Sequence, residues 1–491
     1  MTQEKKWVAI LFYLVLFLII VAALYIRIYN LGERSLWLDE AWVANAIVQA
    51  DLSLLVKKSL TAPLFFVLSI HYLTLILGKT EFVLRLLPCL FGMGALVVFY
   101  LLIRRITGKT ATLVTLLMLS FSSPFIHYSK ELKQYTGAMF FTLLLVYFCE
   151  KILRSNKKRN WIFFSLFCVL GVGFDHSILF IIPAVFLVLL IDLPFKPNWK
   201  KIVSSGAFVS VFSILFLCFH ILKQISNSIN SIQSYWVNYY PKLSSIASFL
   251  NWFATSFKRV FYYSGLPFFP FSFVVVILGL SLFYTKSKKR YLVYIILPLV
   301  LTLAASFLRR YPFGGSRLML FYGPLAFLAF GYGLDFLFEK FSRSKLVLLL
   351  IGAVIMLSLS PVSSFVHRIK HPARTEETRP LLNEMMKHIK PTDKIYVYYG
   401  AKQAFEFYYR TKFYEMIETR NIIWGNNHRG HTPQYSSDLD RYLRKDMRIW
   451  IIFSHYWERE KVSIIDFLKK RGVLLREIHR KGTLAYLFKI Q

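Results

Sequence analysis

Trp7-Val8-Ala9-Ile10-Leu11-Phe12-Tyr13-Leu14-Val15-Leu16-Phe17-Leu18-Ile19-Ile20-Val21-Ala22-Ala23-Leu24-Tyr25-Ile26-Arg27-Ile28 is apolar almost throughout, with one arginine near its end. A run of about 20 apolar residues spans a bilayer core as a helix, because every backbone polar group is then satisfied within the segment. Lys5-Lys6 precede the run, as they would in a signal peptide. The run is longer than a signal core and lacks a small-x-small cleavage site, so a retained helix with a cytosolic N-terminus is expected. Similar runs recur along the chain, which is 56% hydrophobic with a mean hydropathy of +0.49. An ordinary soluble fold is excluded.

The formal charge of +34 does not point to nucleic acid. Many of the basic residues lie in short loops between apolar runs, where the positive-inside rule places them. These loops are Arg104 to Lys109, Arg154 to Arg159, Lys196 to Lys201, Lys286 to Arg290 and Lys340 to Lys345. With all five cytosolic, the spans between them pair off. The pairs are Thr110–Ile126 with Thr136–Leu153, Trp161–Phe174 with Ser177–Leu193, Ile202–Leu222 with Leu266–Tyr284, and Tyr291–Leu308 with Leu318–Phe338. Phe82–Ile103 comes before them and Leu346–Pro361 after, giving about eleven transmembrane helices. Parity excludes Pro63–Leu77 as a full crossing; an interfacial or re-entrant helix is expected there. Cys89, Cys149, Cys168 and Cys218 all fall in apolar runs and suggest neither a disulfide framework nor a metal site.

Composition changes near Val362. Residues 1–361 are expected to form the membrane domain, with a first outer loop over 29–81, and 362–491 a soluble extracytoplasmic α/β domain. In the latter, helices are expected at Thr378–Ile389, Ala401–Arg410 and Glu458–Arg471. Strands are expected at Lys394–Tyr399 and Arg448–Phe453, and Val473–Ile478 with Leu484–Ile490 as a hairpin around Lys481-Gly482.

This topology gathers the chemically interesting polar residues on the outer face. Ser35-Leu36-Trp37-Leu38-Asp39-Glu40-Ala41-Trp42 sets an acidic pair between tryptophans at the membrane surface. A carboxylate there is suited to act as general base toward a hydroxyl. The structural alternatives are Asp39 as N-cap of a helix over Glu40–Val56, and Glu40 as a first-turn charge. His127-Tyr128-Ser129-Lys130-Glu131-Leu132-Lys133-Gln134-Tyr135 is a polar turn. In it Glu131 would orient an acceptor or help to hold a divalent cation, and Lys130 and Lys133 would face phosphate or snorkel. Asp175-His176 offers His176 to a cavity, with Asp175 as a turn former. Two such ligands alone make no metal site. Arg85 and Arg317 each open a span, and a guanidinium at a bundle rim suits a lipid-linked phosphate or anionic headgroups.

The order of these elements resembles the GT-C membrane glycosyltransferases, in particular the dolichyl-phosphate-mannose–protein mannosyltransferase superfamily that includes bacterial lipid A aminoarabinose transferases. The likeness rests on Asp39-Glu40, Thr61-Ala62-Pro63-Leu64-Phe65-Phe66, Glu81-Phe82-Val83-Leu84-Arg85-Leu86-Leu87-Pro88 and Tyr128 to Tyr135, with weaker matches at Asp175-His176 and Gly315-Ser316-Arg317. Thr61-Ala62 stands where the family has His-Pro, and Lys130 and Lys133 where it has Gln and Arg.

The resemblance implies a multi-pass enzyme of the cell (inner) membrane that takes a sugar from a polyprenyl-phosphate-linked donor. The sugar would pass, with inversion, to a lipid, glycan or protein acceptor outside. Asp39 would be the base, with Glu40 and Glu131 as further catalytic candidates. Arg85, Lys130, Lys133, Tyr135, His176 and Arg317 would contact substrate. No cofactor is implied beyond an optional divalent metal near Glu131 and His176, since family members differ on metal dependence. The rival reading is a transporter or flippase of an anionic lipid-linked substrate, against which stand the absence of repeated halves and of a polar line through the spans.

Overall fold

The computed structural model describes residues 3–49, 51–58, 62–218, 235–266, 269–314, 316–341 and 375–491. The expected span Leu346–Pro361, the expected boundary after residue 361, and Thr61 and Gly315 of the motifs lie outside these residues. Two compact units emerge. One comprises Met1–Tyr29, Ala62–Ser69 and Arg85–His371; the other comprises Asn30–Thr61, Ile70–Leu84 and Pro372–Gln491. Most of the first loop, which the sequence groups with the spans, thus clusters with the C-terminal residues.

The first unit is helical. Its helices are Gln3–Ile28 (α1), Glu81–Ile103 (α5, its first turn in the second unit), Lys109–Phe121 (α6), Ser123–Ser129 (α7), Tyr135–Ser155 (α8) and Lys158–Phe174 (α9). They continue with Ile182–Asp192 (α10), Phe195–Phe216 (α11), Ile246–Tyr263 (α12), Phe269–Thr285 (α13), Lys289–Phe307 (α14) and Gly323–Phe341 (α15). Among the described residues six helices are long and apolar enough to cross a membrane, or seven if the α6–α7 pair is one span. Shorter apolar helices cover Leu64–Leu77 (α4), His176–Asp192 and Pro270–Thr285. With its 14 residues, α4 rises about 21 Å, short of a hydrocarbon core of about 30 Å. This is a multi-pass membrane protein.

The expected span Thr110–Ile126 is broken: α6 and α7 meet at 54°. Pro124, which has no N–H to donate, sits in the first turn of α7, so one helix ends and a second begins at Ser122. Small residues set a close helix contact between α13 and α15. A Cβ on Gly279 of α13 would lie 1.9 Å from the Ala329 carbonyl oxygen of α15, and one on Gly333 of α15 would lie 2.3 Å from that of Val275. The two backbones touch there, as small residues allow in bundles. Glu150 of α8 is fully buried; Arg290 of α14 donates to it through Nε at 2.7 Å and to Asp192 at 3.5 Å.

In the second unit lie Leu38–Ile47 (α2), Leu52–Lys58 (α3), Thr378–Met386 (α16), Lys402–Tyr408 (α17), Pro433–Asp440 (α18) and Glu458–Lys469 (α19). Its five-stranded sheet runs β2-β1-β3-β5-β4. The strands are Lys394–Val397 (β1), Ile422–Trp424 (β2), Arg448–Ser454 (β3), Gly472–Arg480 (β4) and Thr483–Ile490 (β5). β1 is parallel to both β2 and β3, and β5 is antiparallel to β3 and β4. The expected hairpin forms, turning through Gly482 at φ 71°. β2 and α18 were not expected: a three-residue strand is too short to show a pattern. One buried ion pair ties the parallel edge, with Arg448 holding Asp393 at 2.7 and 3.1 Å while the Trp450 indole donates to the same carboxylate at 3.1 Å.

Candidate active site

Asp39 and Glu40 lie in the first turn of α2, next to each other in sequence but in different surroundings. The capping position belongs to Trp37, in extended backbone, so Asp39 is not the N-cap expected from the sequence. The helix is also shorter than expected. It stops at Ile47 and resumes at Leu52, because the Asp51 carboxylate accepts both the Ser53 N–H and its hydroxyl at 2.8 Å, a local bond that competes with helix continuation. Glu40 is fully buried and accepts from Arg34 Nη2 at 3.4 Å. Asp39 is half-buried, in a turn whose N–H groups favour negative charge.

Residues far along the chain hold this loop. Arg379 at the start of α16 reaches Glu81 Oε1 at 2.8 Å and donates to the carbonyls of Gly32 (3.3 Å) and Glu33 (2.6 Å). The Tyr408 hydroxyl donates to the same Glu81 oxygen at 2.9 Å and accepts the Leu36 N–H at 2.9 Å. Asn45 of α2 donates to the Gln403 carbonyl at 2.8 Å. Glu81, the first residue of α5, is therefore a hub. His71 is buried, and its Nδ1 lies 2.7 Å from the Ile47 carbonyl oxygen.

The remaining candidates belong to the first unit. Glu131 is buried, and His127 Nε2 lies 3.2 Å from its carboxylate. Lys130 reaches the Tyr29 carbonyl, and that of Ile26 at 3.4 Å, so its ammonium serves carbonyls at and just past the end of α1. Lys133 is buried, and its N–H donates to the Glu131 carbonyl at 2.7 Å. The Tyr135 ring packs edge-on to Tyr128 at 5.3 Å and lies under the Arg317 guanidinium at 5.9 Å. Through these two ring contacts the polar turn and the start of the Arg317 segment converge. Arg85 is fully buried in α5. His176 packs on Phe216 with ring centroids 6.1 Å apart, and Asp175 caps the short 3-10 helix after it by accepting the Ser177 N–H at 2.8 Å. Among the described residues, no three His, Cys, Asp or Glu side chains are placed to hold a metal ion.

Residues 61–222 match the model of the family described as dolichyl-phosphate-mannose-protein mannosyltransferase. No curated protein matches the sequence. Among solved structures, ArnT from Cupriavidus metallidurans in the apo state aligns over 99% of this chain and 98% of its own, at 11% identity and a TM-score of 0.54. The same protein bound to undecaprenyl phosphate aligns over 96% and 97%, at 11% identity and a TM-score of 0.56. The chain has the GT-C fold. The matched segment carries the Phe65-Phe66, Glu81 to Pro88 and Tyr128 to Tyr135 motifs, so the GT-C resemblance read from those motifs is supported independently by a family model and by coordinates. The structural match also takes in the C-terminal sheet.

Proposed function

We propose that this protein transfers a sugar from a polyprenyl-phosphate-linked donor to an acceptor at the outer face of the membrane, with Asp39 as general base. The observation that carries the choice of base is the division of the acidic pair. Glu40 is wholly buried against Arg34, whereas Asp39 is half-buried on the first turn of α2, flanked by an exposed Trp42. A wholly buried carboxylate is poorly placed to meet a hydroxyl; a half-buried one remains within reach. In the proposed reaction the acceptor oxygen attacks the anomeric carbon as Asp39 takes its proton. The bond from that carbon to the phosphate oxygen breaks, and the configuration inverts. The leaving group is an anion, so cationic side chains such as Arg317, Arg85 and Lys133 would stabilise the developing charge. The family match of residues 61–222 and the undecaprenyl phosphate bound by ArnT support a lipid-phosphate donor. The cytosolic N-terminus, the outward C-terminal residues and the inner-membrane location belong to the same proposal, and rest on the basic loops.

The test is sugar transfer by the purified protein in liposomes, offered a panel of polyprenyl-phosphate sugars. Donor consumption by the wild type that disappears in Asp39→Asn is the expected result. Donors that stay intact yet cross the bilayer would replace the transferase with a flippase.

A further inference from the structure

In sheets with parallel strands, the place where the chain reverses its direction of strand addition opens a crevice at the strands' carboxyl ends, where such domains commonly bind ligands. Here the chain goes from β1 to β2 on one side and then to β3 on the other, so the reversal lies between β1 and β3. The carboxyl ends of these strands are pressed together: a Cβ on Gly400 would lie 2.7 Å from the Ser454 carbonyl oxygen and 2.8 Å from that of His455. Beside them sits Glu376, 8% exposed. Its Oε2 accepts from the Ser454 hydroxyl at 3.2 Å, and its Oε1 lies 3.0 Å from His455 Nδ1. Oε2 also accepts the backbone N–H of Leu38 at 3.0 Å.

Leu38 is the first residue of α2 and Asp39 the second. The first N–H groups of a helix have no partner within it, and the side chain at the capping position, Trp37, supplies none. Glu376 supplies that partner from 338 residues away. Its own backbone is fixed as well. The neighbouring Glu377 N–H donates to the Lys481 carbonyl at 2.9 Å, and Gly482 admits the Thr375 carbonyl where any Cβ would clash.

We infer that Glu376, held by Ser454 and His455, is a positioning residue for Asp39: through the Leu38 amide it sets the direction of the turn that carries the base. This rests on Asp39 being the base. The full-length protein in liposomes, with the sugar donor found in the panel, provides the test. Glu376→Ala should lower kcat by about tenfold or more, as a small misplacement of a reacting group does. The donor KM should change by less than about twofold, because an interaction lost only in the transition state leaves ground-state binding alone. Glu376→Gln, which keeps an oxygen for the Leu38 N–H, should restore most of the rate. In an Asp39→Asn background Glu376→Ala should cost nothing further. Hydrogen exchange gives a readout independent of turnover: the Leu38 amide should exchange faster in Glu376→Ala. If that variant does not fold, Ser454→Ala should shift both readouts in the same direction by less. Wild-type kcat in Glu376→Ala, or an unchanged Leu38 exchange rate, overturns the inference while leaving the transferase reading intact. A wild-type protein that transfers no sugar from any donor removes the transferase reading, and this inference with it.

Discussion

Two adjacent carboxylates with different surroundings give opposite expectations at the scale of the residue. Glu40→Ala removes a fully buried carboxylate together with its contact to Arg34. Removing one partner of a buried pair costs about 3 kcal/mol or more. The variant should therefore show a lowered unfolding midpoint in detergent, and whatever turnover remains should follow the folded fraction. Asp39→Asn, in contrast, should melt like the wild type while losing about a hundredfold or more of its transfer rate, the scale of a lost general base. Thermal unfolding of both variants beside their turnover checks this; equal melting losses would deny the division of roles. The sequence shows that an acidic pair lies between tryptophans, but it does not show which member is buried. That depends on where Arg34 folds back, and the three residues of irregular chain between it and α2 carry no periodic signal.

At the scale of the element, the long helices were legible because a bilayer demands long apolar runs, while their breaks and contacts were not. The bend at Ser122 needed a proline in a first turn, a feature that leaves the hydropathy of Thr110–Ile126 unchanged. The α13–α15 contact is similarly hidden, since glycines are common in spans and only the fold shows which ones touch. Gly333→Ala would push a methyl into the Val275 carbonyl and should cost about 1–3 kcal/mol through overpacking. Gly206→Ala meets only Phe186 at 3.6 Å and should be tolerated. Detergent melting curves that fail to separate the two would show that the helices can part freely.

An element-scale pH effect arises in the loop between β2 and α18. The His428 ring hydrogen-bonds the Asp438 carboxylate at 2.5 Å and holds it below its usual range, with Asn426 adding a bond at 3.0 Å. A carboxyl whose value is depressed on folding contributes stability above its unfolded value of 3.8, and loses it as pH falls through the lower folded value. Amides 426–438 should therefore be better protected from exchange in the wild type than in Asp438→Asn near neutral pH. The difference should close below about pH 4. A gap that stays constant with pH would mean that the Asp438 carboxylate does not hold the loop.

For the whole molecule, the sequence separates cleanly into apolar spans and a polar C-terminal segment, and composition alone made that division readable. It could not reveal that Asn30–Thr61 and Ile70–Leu84 pack with the C-terminal residues. The bonds responsible join Leu38 to Glu376 and Glu81 to Tyr408, 338 and 327 residues apart, and no local pattern encodes such a pairing. The C-terminal segment is therefore part of the support for the Asp39 loop. It supplies Glu376 to the Leu38 amide, Arg379 to the Gly32 and Glu33 carbonyls, Tyr408 to the Leu36 amide and Gln403 to Asn45. Removing residues 375–491 deletes all of these partners and leaves Asp39 and every described apolar helix in place. The truncated protein should still insert and bind a polyprenyl-phosphate donor, yet its transfer rate should fall by about a hundredfold or more, because the base is no longer held in a reactive geometry. Adding residues 375–491 as a separate chain should restore rate only if that piece folds and docks, so the deletion is best paired with full-length Arg379→Ala. That variant should lie between the wild type and the deletion. Donor binding measured beside turnover distinguishes the outcomes. Preserved binding with lost turnover fits a scaffold for the catalytic loop, whereas normal turnover by the truncated protein would show that the spans alone hold Asp39.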